Sequence, residues 1–421
     1  MKSAVSKDSE RVAESASAKN ERKRVAEQSE ERAKRVIEDE VRKTSQRRVY
    51  LDNGASTRVD ERVVDAMLPY FTEFFGNPSS LHSFGSEAKD GVEHARMIIA
   101  KSINAKHGEI IFTSGGTESD NLAIRGVCSL KDSGHLITTR VEHPAVLRTF
   151  ESLEKQGFKV TYLPVDSDGL ISADSVAKAI TSDTIIVSVM HANNEIGTIM
   201  PIKEISAVCR KKGVLFHTDA VQSFTKVPIN APDFDLISFS SHKIHGPKGV
   251  GALYVRSGVK LVPESTGGSH EFGVRAGTEN VPGIVGFARA VELSTNDEIT
   301  KISKIRDYII DELLKIDGTR LNGSRVKRLC NNVNVTFDDV EGESVLLMLD
   351  SKGIAVSTGS ACSSHSLKPS HVLTAIGLRP EKSHGSIRIT LSRDNTKDDA
   401  KYLIDSLKEI VIKLREMNPL R

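Results

Sequence analysis

Seven short apolar runs, most of them separated by helix-like stretches, constrain this chain more than any other feature of its sequence. The runs are Ile110–Thr113, His135–Thr139, Lys159–Pro164, Ile185–Met190, Val214–Thr218, Leu236–Ser240 and Gly251–Val255. Helical patterning falls between them at Asp120–Leu130, Ala145–Gln156, Ser172–Ile180 and Ile202–Lys212. Strand and helix in alternation predict βαβ units, hence a mostly parallel seven-stranded sheet between helices. After about residue 295 the texture changes to a long polar helix (Asp297–Ile316), a strand (Asn332–Phe337), a helix (Glu343–Lys352), a strand (Gly385–Leu391) and a last helix (Lys397–Glu416). That order predicts a smaller α+β domain over 296–421. Two domains also suit a length of 421 residues, which exceeds what one core usually supports.

Residues 1–47 stand apart, with no Gly, Pro or aromatic residue and many acids, bases, serines and alanines. Without a continuous apolar core this is no secretory signal, and its acids argue against a mitochondrial transit peptide. Its weak stripe of Val25, Ala33, Val36, Ile37 and Val41 allows one charged helix, but a solvated, partly disordered extension is the plainer expectation. The net charge of +2 gives no reason to expect nucleic-acid affinity, which needs a clustered basic face. No apolar run approaches the roughly 18 residues of a membrane-span candidate. The four cysteines are far apart and form no C-x-x-C pair, which speaks against disulfides and structural zinc and for reduced thiols in a cytosol-like compartment.

In open α/β sheets ligands gather at the carboxyl ends of the strands, and the unusual residues sit there. Ile110–Thr113 runs into Ser114-Gly115-Gly116-Thr117-Glu118-Ser119 and then a helix, a glycine turn whose exposed N–H groups favour an anion. It matches neither common nucleotide-binding pattern, and a capped helix start explains it equally well. Val214–Thr218 ends in Asp219, either a helix cap or a carboxylate for a protonated ring nitrogen. Leu236–Ser240 ends in Ser241-His242-Lys243-Ile244-His245-Gly246, where Lys243 is placed for Schiff-base chemistry. An anion cradle, a carboxylate and a lysine are the set that holds a phosphorylated pyridine aldehyde.

A fourth element is Ser357-Thr358-Gly359-Ser360-Ala361-Cys362-Ser363-Ser364-His365. Small polar neighbours predict an accessible loop thiol, unlike the buried settings that make cysteines inert. Cys128 and Cys209 fall in helical patterns and read as packing, and Cys330 has little to suggest a task.

With these segments in view, the chain resembles the NifS/IscS-type cysteine desulfurases, a class V branch of the fold-type I pyridoxal-phosphate enzymes. The resemblance runs from Val49 to about Leu420 and is carried by Tyr50-Leu51-Asp52-Asn53, Phe75–Ser80, Thr113–Asn121, Glu142-His143, Met190–Gly197, His217–Gln222, Ser238–Gly249, Arg275–Asn280 and Ser357–Cys362. It implies a large cofactor domain over 65–295, with residues 48–64 joining the small domain that carries the cysteine loop. By position, Lys243 would bond covalently to pyridoxal 5'-phosphate, Asp219 would pair with its ring nitrogen, and His143 would lie over its ring face and move protons. Gln222 would contact the ring hydroxyl. Gly116, Thr117, Ser240 and His242 would hold the phosphate, joined by Thr278 from the neighbouring subunit of a homodimer. Asn194, beside the cofactor, and Arg388 would take the carboxylate of L-cysteine, and Cys362 would receive its sulfur as a persulfide, with alanine as the other product. No metal is expected. The resemblance further implies a sulfur-acceptor protein such as an iron–sulfur scaffold, or a tRNA-thiolation relay, and a cytoplasmic location. Two departures, Asn53-Gly54-Ala55-Ser56-Thr57 and Gly115-Gly116-Thr117, keep residues small where the family often has Asn-Ala-Ala-Thr-Thr and Gly-Ala-Thr. The chain also stops at Pro419-Leu420-Arg421, without the longer tail with which many relatives dock a scaffold. Selenocysteine lyase is the nearest alternative reading; an aminotransferase would not require Cys362.

Overall fold

Neighbouring residues on the central strands point into two different cores, which shows how the sheet is covered. Ile110 and Phe112 pack in one core while Ile111 packs in the other, and the same split separates Ile137 from Leu136, Val187 from Ile186 and Ile237 from Leu236. Because side chains alternate across a strand, both faces of this sheet are buried, and its strands read as continuous apolar runs for that reason. A computed structural model describes residues 47–358 and 369–417. The expected N-terminal extension, apart from Arg47, and Cys362 lie outside the described residues.

The first strand, β1 (Val49–Tyr50), lies outside this sheet. The sheet itself is made of β2 (Ile110–Thr113), β3 (His135–Thr139), β4 (Lys159–Leu163), β5 (Thr184–Ser188), β6 (Leu215–Asp219), β7 (Leu236–Ser240) and β8 (Gly251–Val255). These seven strands lie in the order β2-β8-β7-β6-β5-β3-β4. All neighbours pair in parallel except around β8, which runs antiparallel to both β2 and β7. The parallel strands therefore deliver their carboxyl ends to one edge. On one face lie the helices Gly116–Cys128 and Pro144–Lys155, which bury Leu122, Val127, Val146 and Phe150. On the other lie Ser83–Ser102, Ile202–Lys211 and Val281–Glu292, which contribute Ile99, Ile205 and Phe287.

A third core is built from both ends of the folded region. Val49 and Leu51 pack with Ile309, Leu313, Val335, Ile389, Leu403 and Ile410. Here β1 pairs in parallel with the short strand β11 (Ile354–Ala355). The frame is an antiparallel sheet of β9 (Thr319–Leu321), β10 (Asn332–Phe337) and β12 (Ser386–Thr390), in the order β12-β10-β9. The helices Asn296–Leu313, Gly342–Ser351 and Lys397–Met417 accompany it. Beyond β1, Asn53 donates to the Thr390 carbonyl at 2.9 Å, and the Gly54 N–H donates to Thr390 Oγ1 at 2.7 Å. The segment that follows thus leaves this core already fixed and runs to the edge where the parallel strands end.

Candidate active site

Four strand ends, those of β2, β3, β6 and β7, meet at that edge. β6 closes with Asp219, buried, whose Oδ1 accepts the Val221 N–H at 2.9 Å. Burial raises its proton affinity above the ordinary carboxylate range, opposed by that N–H and by the charge of Lys243. The turn after β3 brings His143 to the N-cap of Pro144–Lys155, where its Nδ1 accepts the Ala145 N–H at 3.1 Å. An Nδ1 used as acceptor leaves the ring proton on Nε2. Burial first, then Lys243 and His371, lower the imidazole pKa to about 4, so His143 is neutral at physiological pH. Asp120, His143 and Asp219 hold their side-chain ligand atoms within 4.8 Å of one another.

Lys243 stands on the one-turn 3-10 helix Ser241–Lys243 after β7. Its ammonium donates to the Gly54 carbonyl at 2.8 Å and the Ala55 carbonyl at 2.7 Å. Gln222 Nε2 donates to the same Gly54 carbonyl at 3.0 Å. Beneath the turn, Lys226 Nζ donates to the carbonyls of Gln222 at 3.2 Å and Lys243 at 3.1 Å. The small residues after Asn53 thus have a definite task, since their carbonyls aim the lysine.

The glycine turn after β2 forms a cradle. Its N-cap, Gly115, lies at φ 155° and ψ −179° and carries no side-chain cap, a conformation essentially confined to glycine. The first N–H groups of the helix Gly116–Cys128 have no acceptor within their own helix, and Ser240 lies against this turn, its Cβ 3.6 Å from where a Gly116 Cβ would stand. Gly251 on β8 lets the turn sit this low, because a Cβ there would be 2.7 Å from Gly115 Cα. His242, at the same edge, approaches Ser56 Oγ at 3.3 Å, and burial followed by Lys243 and Lys248 lowers its pKa to about 4. The cradle's donors are therefore N–H and hydroxyl groups at a positive helix end, a set that suits a phosphate.

Across the edge, Asn193 fixes a turn: its Oδ1 accepts the N–H groups of Glu195 and Ile196 at 2.9 Å each, and its Nδ2 reaches the Val141 carbonyl. Asn194 is displayed by that turn. Arg388 on β12 donates to the Asn194 carbonyl at 3.2 Å and to Asp52 Oδ1 at 2.9 Å. Its Nε is buried without a hydrogen-bond partner, a spare donor beside Asn194.

Residues 49–403 match the family described as aminotransferase class-V. The chain is 53% identical over 384 residues to the cysteine desulfurase IscS of Methanosarcina thermophila, covering 90% of this chain and 95% of that relative. It belongs to the class-V aminotransferases, among the cysteine desulfurases of NifS/IscS type. Among solved structures, a NifS-like protein superposes with a TM-score of 0.82 at 39% identity, covering 87% of this chain and 100% of its own. A structure described as SspA in complex with cysteine gives a TM-score of 0.75 at 40% identity, covering 83% of this chain and 100% of its own.

Lys243, Asp219, His143, Gln222, Gly116, Thr117, Ser240 and His242 come together at one edge in this structure, with Asn194 and Arg388 side by side nearby. Thr278 is exposed, on the segment before the helix Val281–Glu292. Sequence reasoning missed Asp52, Asp120 and the buried acids Glu142 and Glu195. All four lie within recognised motifs, so their positions were available but their partners were not.

Proposed function

We propose that this chain is a pyridoxal-phosphate-dependent cysteine desulfurase that converts L-cysteine to L-alanine and stores the sulfur as a persulfide on Cys362. The observation that carries the reading is the convergence of Lys243, Asp219 and His143 beside the uncapped glycine cradle. This donor set fits the cofactor: helix-end N–H groups and Ser240 for its phosphate, Asp219 for its ring nitrogen, His143 for its ring face and Lys243 for its aldehyde. Once bound there, pyridoxal phosphate would supply an electron sink that lets a substrate Cα proton leave.

The remaining steps belong to the chain. Arg388, through its free Nε and the group now paired with Asp52, binds the substrate carboxylate beside Asn194. Lys243, aimed by the Gly54 and Ala55 carbonyls, takes the Cα proton once its amine is released. Neutral His143 keeps Nε2–H as a hydrogen-bond donor and would hold the ring without repelling Lys243. Cys362 accepts the substrate sulfur: a new S–S bond forms as the Cβ–S bond breaks, giving Cys362–S–SH and alanine.

A homodimer would bring the partner copy's equivalent of Thr278 to the phosphate. Supporting this, Leu68, Phe71, Phe75, Leu81 and Phe84 are exposed within one stretch, more apolar surface than scattered residues explain. The persulfide would pass to an acceptor protein such as an iron–sulfur scaffold. Buried, unbridged Cys128, Cys209 and Cys330 agree with a reducing, cytoplasmic setting, and among the described residues no helix is long and apolar enough to cross a membrane.

Intact-mass measurement after adding cysteine tests the reading. One extra sulfur on the peptide carrying Cys362, with alanine in equal amount, is expected; no sulfur adduct with Cys362 intact, or full sulfide release by Cys362→Ser, overturns it. Comparing rates on cysteine and selenocysteine separates the desulfurase from a selenocysteine lyase.

A further inference from the structure

Asp120 lies in the second turn of the helix Gly116–Cys128, essentially without solvent exposure. Oδ1 of this carboxyl is buried without a hydrogen-bond partner, and the nearest cationic candidate, His217 Nε2, is 3.6 Å away. That imidazole offers no charge. His217 is fully buried between Ser188 Oγ at 2.8 Å and Ser238 Oγ at 3.0 Å, and burial lowers its pKa to about 3. Within 4.8 Å of Asp120 is a carboxylate oxygen of Asp219, the group that faces the cofactor's ring nitrogen in the reading above.

Two carboxyls this close, both out of water, cannot both ionise without a large electrostatic cost. Among the described residues, the groups around Asp120 supply no positive charge, and the Ser238 hydroxyl favours its ionised form by a hydrogen bond against burial, Asp219 and Glu142. From β6 come neutral His217 and Asp219; from the turn after β3 come Glu142 and neutral His143; from β7 comes the Ser238 hydroxyl. Glu142, fully buried, is itself pushed to about 8 by burial, against hydrogen bonds from Thr139 and the Met190 N–H. Among the described residues, the cation at this edge that bears on the pair is Lys243, and it acts on Asp219. Glu118, on Asp120's own helix, is occupied by Arg275 at 2.8 Å.

We propose that Asp120 is a positioning residue for the cofactor-facing carboxylate: it shares a single proton with Asp219, so that the pair carries one negative charge, placed on Asp219. The proton resides on Asp120, whose surroundings provide no counter-charge, and Asp219 keeps the charge because Lys243 and the Val221 N–H favour it there. The helix that cradles the phosphate at its first turn thus sets, through its second turn, the charge presented to the ring. This rests on the cofactor reading above, yet the proton sharing belongs to the chain itself and is measurable without cofactor.

Thermal melts of the apoprotein from pH 5 to 9 test it, comparing the native chain with Asp120→Asn and Asp219→Asn. A buried acid whose folded pKa is raised binds more protons when folded than unfolded, so stability falls as pH rises through the interval between the two values. Asp120→Asn keeps the shape of the protonated group and removes its titration, so its melting temperature should fall less steeply over this range and exceed the native value at pH 8. Glu142 titrates in both proteins, so the difference isolates the pair. Slopes that coincide overturn the proposal. A second arm is infrared spectroscopy at pH 7, where the native apoprotein should show a protonated-carboxyl C=O band that Asp120→Asn diminishes. If Asp120→Asn fails to fold, absence of any such band in the native apoprotein overturns the proposal on its own. The third arm is pyridoxal phosphate titrated into both apoproteins. Failure to bind the native chain would sink the cofactor reading, whereas equal affinity and equal pH dependence in both proteins would sink only the role of Asp120.

Discussion

At the residue scale, the site is governed by which charges lack an ordinary partner. Arg388 is buried, holds Asp52 with one nitrogen and leaves Nε free. Replacing it with Ala removes a charged hydrogen-bonding group worth about 1.5–3 kcal/mol, so KM for cysteine should rise roughly 10- to 150-fold while cofactor absorbance stays intact, as steady-state kinetics and a visible spectrum will show. Lys243→Ala should yield a colourless protein with no turnover, because no other amine among the described residues of this edge is aimed at the same point. Glu195 gives a pH prediction. Burial, opposed by Ser370 and Arg388, raises its pKa to about 7. Its folded form therefore binds a proton that the unfolded chain gives up at lower pH. Stability accordingly declines as pH rises from about 4.3 to about 7, with a slope approaching about 1.4 kcal/mol for each step of one in pH. Glu195→Gln should flatten that part of the profile of melting temperature against pH.

At the element scale, the seven sheet strands were legible because strands buried on both faces are continuous apolar runs, and the structure moves their ends by no more than two residues. Two of the longer helices were not. Ser83–Ser102 buries Ala88, Gly91, Ala95 and even Arg96, a small-residue face that carries no strong apolar stripe. The Arg96 guanidinium is legible only in three dimensions, where Glu271 takes it at 2.7 and 2.9 Å. Val281–Glu292 is apolar nearly all round, so few polar residues mark out an exposed face. Lys243 and Asp219 could be found because each terminates an apolar run, whereas Asp120 looks like any acid near a helix start until β6 is packed against it. The cradle offers its own test. Gly251→Ala places a methyl against the Phe239 carbonyl at 2.6 Å and the Gly115 Cα. Overpacking of this kind costs about 1–3 kcal/mol. The variant should melt lower and retain less pyridoxal phosphate on gel filtration, while an exposed control such as Gly108→Ala, with open space around it, should change neither.

At the scale of the whole molecule, the exposed apolar stretch from Leu68 to Phe84 makes self-association the expected state. Phe75→Glu should shift the sedimentation profile toward monomer. Cofactor affinity should fall with it if the partner's equivalent of Thr278 completes the phosphate site, and sedimentation together with a cofactor titration measures both.

The pairing of β1 with β11 carries a consequence for biosynthesis. Val49 must wait for Ile354, about 300 residues downstream, before its strand has a neighbour. At about 5–20 residues per second that wait lasts roughly 15–60 s. Throughout it, the stretch whose carbonyls orient Lys243 emerges from the ribosome without the core that holds it. The catalytic edge is consequently among the last parts of the nascent polypeptide to mature, and a ribosome stalled before Ile354 would display a sheet that cannot yet aim its lysine.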